Sequence, residues 1–287
     1  MIKVLSAGFY ATIQDLGRLR FASIGVPVSG VLDSFSASIS NQILGNNSTD
    51  AVIEITFGGC KFLFETDTII CLSGADFSAN LNGELIPLNQ AIKVTKNEVL
   101  SFGKQIFGSR TYLAVFGGIQ SEAILNSRSY YKGVTTDWFL SKGQKIKIKK
   151  VSTFKTASFS YLKVNKNLFE SKQITCYKGP EFELLSEQKK QKIKSTLFTI
   201  SSNNNRMGIQ LKEPVKNKLP TILTSAVLPG TVQLTPAGTL IILMRDCQVT
   251  GGYPRVLQLP EEAINCLAQK TTNSQFRFLI EDLFEAI

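Results

Sequence analysis

The sequence predicts a mainly β protein with a few helices, built as two β-barrel halves, and three observations carry that expectation. Short apolar and β-branched runs recur along the 287-residue chain, separated by glycine-rich turns. Asn82-Gly83 stands between alternating residues in ANLNGELI, the strongest local signal for a tight two-residue hairpin. The second half repeats the style of the first, each with its strands and a helix or two. At about 150 residues per domain the length suggests two domains. They are placed at 1–155 and 156–287, with either terminus free to cross over and complete the other half.

In chain order, VLSAGFYATIQDL is strand broken at Gly8, and the turn-rich IGVPVSGVLD follows. Asp33 caps a helix from about Ser34 to Leu44, which Gly45 stops. Strands are predicted at AVIEITFGG, KFLFE, TIICLSG, EVLSFG and RTYLAVFGG. KGQKIKIKK alternates Lys with Ile and suits an edge strand whose outward lysines discourage edge-to-edge pairing. The weakly patterned stretch from about Lys150 to Lys172 is the expected interdomain connection. Beyond it come strand ITCYKG, a charged helix over about Pro180 to Lys194, and strands FTISS, MGIQLK, PTILTSAVLPGTVQL and TLIILM. A helix near Glu261 to Gln269 and the strand FRFLI close the chain.

Composition removes several kinds of chemistry. The chain has no histidine, which excludes Ser-His-Asp and Cys-His catalysis, His-based metal sites and an imidazole shuttle within it. The 5 cysteines are scattered without CxxC spacing, so free thiols in a cytoplasm are expected, with no disulfide framework and no metal site. No apolar run approaches the roughly 20 residues that span a bilayer, so no membrane partner is expected. The formal charge of +10 invites a nucleic-acid reading, but the lysines cluster without interleaved aromatics for base stacking. No nucleic acid is therefore expected; an acidic protein or a small anion answers the charge as well.

The site candidates gather at strand ends beside glycines. MRDCQVTGGYP brings Asp246, Gly251, Gly252 and Tyr253; NRMG brings Arg206; TIQDLGR brings Gln14, Asp15 and Arg18; and PGTVQL brings Gln233. Amides, carboxylates and guanidinium groups beside glycines suit a small polar molecule carrying a carboxylate and an amide or urea-like group. The expectation is that Asp246, Arg206 and Arg18 do the catalytic work. Gln14, Asp15, Gln233, Gly251, Gly252 and Tyr253 are expected to bind substrate, with the Gly251 and Gly252 N–H groups set for an oxyanion. A plainer reading stands beside it: hairpin corners, local ion pairs worth roughly 0–1 kcal/mol, and satisfied strand residues.

Taken together and in order, TIQDLGR, GVPVSGVLD, SNQILGN, IEITFGG, YLAVFGGI, NSRS, NRMGIQL, SAVLPGTVQL and MRDCQVTGGYP resemble the allophanate hydrolase subunit 2 family. This is also called the biotin-dependent carboxyltransferase family, and it includes the C subunit of the bacterial 5-oxoprolinase. The resemblance spans essentially the whole chain. It implies two cyclophilin-like β-barrel domains and partnership with 5-oxoprolinase subunits A and B, in a complex that opens the lactam of 5-oxoproline to glutamate with ATP. Because no GxxxxGK[ST] or GxGxxG stands in the chain, the ATP site is expected to be shared with or supplied by the partners. Two alternatives are implied as well: carboxyl transfer from biotin to a urea-like substrate, and regulation of a kinase inhibitor. The chain departs from the family pattern at Asp137-Trp138, Ala226 and Thr235-Pro236, which bears on specificity.

Overall fold

The computed structural model describes residues 1–149, 162–163 and 167–282, and most of the expected interdomain connection lies outside them. The chain divides into two units, one of Met1–Arg18 with Ser29–Lys166 and one of Leu19–Val28 with Asn167–Ile287.

In the first unit, strands run as two sheets over a common core. One sheet has the order Lys145–Ile146, Ile2–Ala7, Cys60–Phe64, Val99–Ser101, Asn80–Leu81, Glu84–Leu85. The other has the order Tyr10–Gln14, Val52–Thr56, Phe107–Val115, Thr68–Asp76, Ile92–Val94. Val4, Phe62 and Leu100 from the first sheet and Ile13, Ile53, Leu72 and Leu113 from the second belong to one buried cluster. The Asn82-Gly83 turn is the primed hairpin its sequence predicts, with φ +52° and +95°, backbone that Asn and Gly tolerate. Lys145–Ile146 sits at the edge of its sheet, with Lys145, Lys147 and Lys149 outward and Ile146 and Ile148 buried. The helix Ser34–Ile43 starts where Asp33 accepts the Ser36 N–H at 3.0 Å. It packs through Ala37 against Tyr112 and Ala114 of the sheet.

The second unit closes a seven-stranded barrel. Its order is Gln173–Lys178, Arg255–Gln258, Thr231–Leu234, Leu240–Leu243, Gly208–Leu211, Phe198–Asn204, Gln275–Glu281. Closure comes from the parallel pairing of Gln275–Glu281 back onto Gln173–Lys178, Ile174 opposite Phe278. Complete closure leaves the barrel without a free edge. The charged helix expected from Pro180 begins later, at Glu187–Ser195, because Phe182 and Leu185 turn inward through a short 3₁₀ segment first. The predicted C-terminal helix and last strand appear as Glu261–Ala268 and Gln275–Glu281. Among the described residues no helix is long and apolar enough to cross a membrane.

A neutral amide cleft on the seven-stranded barrel

The strand Thr231–Leu234 is buried at all four positions, and three of them place small or apolar groups there. The exception is Gln233, only 2% exposed. Its neighbour Arg255–Gln258 skips a residue in the ladder: Val232 pairs with Leu257 but Gln233 with Arg255, a bulge at the point where the amide leaves the strand. Bulges commonly re-aim side chains in this way. The amide lines a cleft of about 480 Å³ together with Asn203, Asn205, Gln210, Gln248 and Tyr253, while Met207, Ile241 and Leu243 supply apolar wall. None of the 12 lining residues is charged.

Three of these polar residues are tied to one another or to the backbone. Asn203 Nδ2 donates to Gln210 Oε1 at 3.2 Å, and Asn205 Oδ1 accepts the N–H groups of Met207 and Gly208 at 2.8 and 3.2 Å. Gln233 Nε2 differs in being buried while meeting no hydrogen-bond partner among the described residues. Gly251 lies against it, and a Cβ built there would come within 2.5 Å of that nitrogen.

Behind the cleft, two of the three residues expected to be catalytic meet each other, while Arg18 lies in the first unit. Arg206 Nε and Nη2 donate to Asp246 Oδ2 and Oδ1 at 2.8 and 2.9 Å, a two-pronged match of planar groups. Both are buried, 6% and 8% exposed, and neither lines the cleft. The backbone follows: Asp246 N–H donates to the Arg206 carbonyl at 2.9 Å and Met244 N–H to that of Met207. The pair thus fastens the Asn205–Met207 turn, one wall of the cleft, to the end of Leu240–Leu243. The Gly-Gly corner differs from the free turn the sequence suggests. Thr250–Gly251 is a short strand paired with Ser225–Ala226, and the Gly252 carbonyl accepts from Ile222 N–H at 2.9 Å. Its glycine at 251 makes room for an amide rather than bending a loop, since Gly251 has no left-handed φ.

Gln14, Asp15 and Arg18 belong to the first unit, where each is held by its own surroundings. Gln14 Nε2 donates to Thr12 Oγ1 and the Tyr130 carbonyl at 3.1 and 3.2 Å. Asp15 Oδ1 accepts from Gly17 N–H at 2.8 Å and from the Ser127 and Ser129 hydroxyls at 2.6 Å each, and its Oδ2 accepts Arg128 N–H at 2.6 Å. Arg18, 1% exposed, donates to the Ser129 carbonyl. The three fix the 127–130 segment onto the first strands. This unit has its own cleft, about 360 Å³, lined by Tyr130, Asp137, Gln144 and Lys147 among others. There Gln144 Nε2 bridges Tyr130 Oη and Asp137 Oδ2 at 3.1 and 2.8 Å. Burial first, and Asp137 second, push the Tyr130 hydroxyl up to about 12, too high to serve as a base near neutrality.

Sequence reasoning reaches Gln233, Gly251 and Tyr253 but not Asn203, Gln210 and Gln248, which share the cleft. Gln210 carries a readable signal: it stands between buried Ile209 and Leu211, so alternation turns it to the other face. Arg255 is likewise unmarked in the sequence. Its guanidinium grips Glu181 through Nε at 3.0 Å and Nη2 at 2.8 Å, and Nη1 reaches the Ala226 carbonyl at 3.2 Å.

Fold and site define a mostly β protein with a closed barrel whose cleft is neutral, amide-rich and backed by a buried ion pair. The chain belongs to the family described as carboxyltransferase domain, subdomain A and B, whose model matches residues 24–280. It is 31% identical to the C subunit of 5-oxoprolinase from Escherichia coli, over 100% of this chain and 93% of that protein. It is 28% identical to the protein of the same name in Haemophilus influenzae, again over 100% of this chain and 93% of the other. Among solved structures, the K. lactis urea amidolyase superposes on 97% of this chain with a TM-score of 0.84 at 26% identity. This chain spans only 18% of that longer one.

Proposed function

We propose that the chain is the C subunit of an ATP-dependent 5-oxoprolinase, acting with subunits A and B in the cytoplasm to open 5-oxoproline to L-glutamate. One observation carries the reading: the match to two bacterial proteins named as the C subunit of 5-oxoprolinase runs the full length of the chain. The cleft supports it. A small lactam fits a space of about 480 Å³ walled by side-chain amides, which offer both donors and acceptors to a cyclic amide. Five free cysteines suit a reducing compartment.

The same cleft does not fit a triphosphate, since no cation stands among its lining residues to offset the charge. We assign ATP to a site shared with or supplied by the partner subunits. This chain's own contribution is to bind and orient the lactam. Ring opening adds water across the C–N bond, with the carbonyl carbon becoming the side-chain carboxylate and the nitrogen the amine. In this arrangement Arg206 and Asp246 act as positioning residues for the cleft wall, and Arg18 and Asp15 for the 127–130 segment of the other unit.

A second reading, carboxyl transfer from biotin to a urea-like acceptor, is favoured by the likeness to the urea amidolyase and by the family description. An amide-lined cleft would accept a ureide as readily as a lactam. One assay separates the two. The chain is combined with subunits A and B, and glutamate release from 5-oxoproline is followed with ATP, with and without avidin. Release that needs this chain and ATP and ignores avidin is expected; silence of the complete mixture sinks the reading, and loss on adding avidin transfers it to the biotin alternative.

A further inference from the structure

We infer that Gln233 and Gly251 form a built recognition element for a carbonyl flanked by N–H, with Gln233 Nε2 donating to the ligand's carbonyl oxygen. The choice of a five-membered lactam among such ligands rests on the function proposed above; the donor itself does not.

Burying an amide N–H₂ without a partner is costly, and folded chains satisfy the great majority of such groups. Gln233 bears that cost at 2% exposure, in a barrel strand whose other members are Thr231, Val232 and Leu234. The nitrogen is held beside a cleft rather than inside the apolar barrel, and the neighbouring position is a glycine whose φ lies outside the left-handed region. The missing Cβ is what lets the amide itself sit there, since an Ala at 251 would meet Nε2 at 2.5 Å. An unpartnered donor on the cleft lining, a glycine that admits the amide and a bulge where it leaves the strand together mark a ligand site.

The rest of the lining says what the donor receives. No cation lines the cleft to hold a phosphate, and a ligand such as 5-oxoproline would meet the amides with its lactam ring and leave its carboxylate to solvent. Neutral amides from Asn203, Gln210 and Gln248 match the N–H and carbonyl edges of a planar amide or ureide. Tyr253, 39% exposed, adds an aromatic side chain to the same lining.

The test uses the full chain and three probes of one ring size: 2-pyrrolidone, 2-imidazolidinone and cyclopentane. The side-chain N–H₂ resonances of Gln233 are followed by ¹⁵N NMR, assigned by their disappearance in Gln233→Leu. Saturable shifts with either carbonyl probe and none with cyclopentane are expected; the tighter of the two tells a lactam site from a ureide site. Gly251→Ala, which the backbone accepts, should weaken binding at least tenfold by pushing the amide aside. Absence of any saturable shift, as when ordered water alone serves the nitrogen, overturns the inference, and so does binding that survives both Gln233→Leu and Gly251→Ala. The two proposals fail separately. Probe binding with no turnover in the reconstituted complex would discard the 5-oxoprolinase reading alone; turnover with an unchanged KM in Gln233→Leu would discard the recognition element alone.

Discussion

Arg206 and Asp246, forty positions apart, meet as a buried two-pronged ion pair, and the turn that carries the arginine is thereby bound to the strand that delivers the aspartate. A buried pair of this kind contributes little net stability against an apolar replacement, yet losing one member is costly because the other charge is stranded. Asp246→Ala should therefore lower unfolding stability by about 3–5 kcal/mol, and Arg206→Met with Asp246→Leu together should recover much of that loss. Urea titrations of the two single variants and the double supply the coupling energy. A chemical role for Asp246 predicts the reverse: normal stability in Asp246→Asn with turnover of the complex abolished.

Asp15 presents a different case of one carboxylate organising a loop. Its two oxygens accept four donors, two from backbone N–H groups and two from serine hydroxyls, all within 2.8 Å. With that many bonds made, little acceptor capacity is left for a ligand. Asp15→Ala strands those donors in partly buried positions and should cost roughly 2 kcal/mol or more. Amide exchange within residues 126–131 should accelerate first, since those residues hang from the carboxylate. A raised KM in the complex at unchanged stability would return Asp15 to direct substrate contact.

What the sequence makes legible here is whatever local chemistry decides. The Asp33 cap, the Asn82-Gly83 hairpin and the Lys-Ile alternation at the sheet edge each depend on a few adjacent residues, and each appears where expected. Barrel closure in the second unit depends on a parallel pairing between strands a hundred residues apart, which no local pattern encodes. The site divides in the same way. Gln233 and Gly251 are visible as polar and glycine residues at strand ends, but that a missing Cβ at one position makes space for the amide of the other follows only from register and the bulge. Asn203 and Gln210 read as ordinary solvent-facing strand residues because only their proximity to Gln233 makes them lining.

Glu181 and Arg255 give a pH dependence whose sign is fixed. Hydrogen bonds from the Arg255 side chain, opposed in part by burial, hold the Glu181 carboxyl below its ordinary value of 4.5. The folded state then favours the ionised form, so the stabilisation is fully present above pH 4.5 and is lost as pH falls through the lower folded-state value. Urea midpoints measured from pH 7 to pH 3 should drop more steeply in the parent chain than in Glu181→Gln, with the curves converging at the acid end. At pH 7 the Gln variant should be less stable by about 1–2 kcal/mol, the scale of a hydrogen bond to a charged group. The consequence reaches the cleft, because Arg255 also donates to the Ala226 carbonyl, and Ala226 lies in the strand that pairs with Thr250–Gly251. Freed from Glu181, that strand pair should loosen, and 2-pyrrolidone should bind Glu181→Gln more weakly while Gln233 and Gly251 remain in place. Parallel stability curves across the whole pH range would show that the Glu181–Arg255 pair does not brace this side of the barrel.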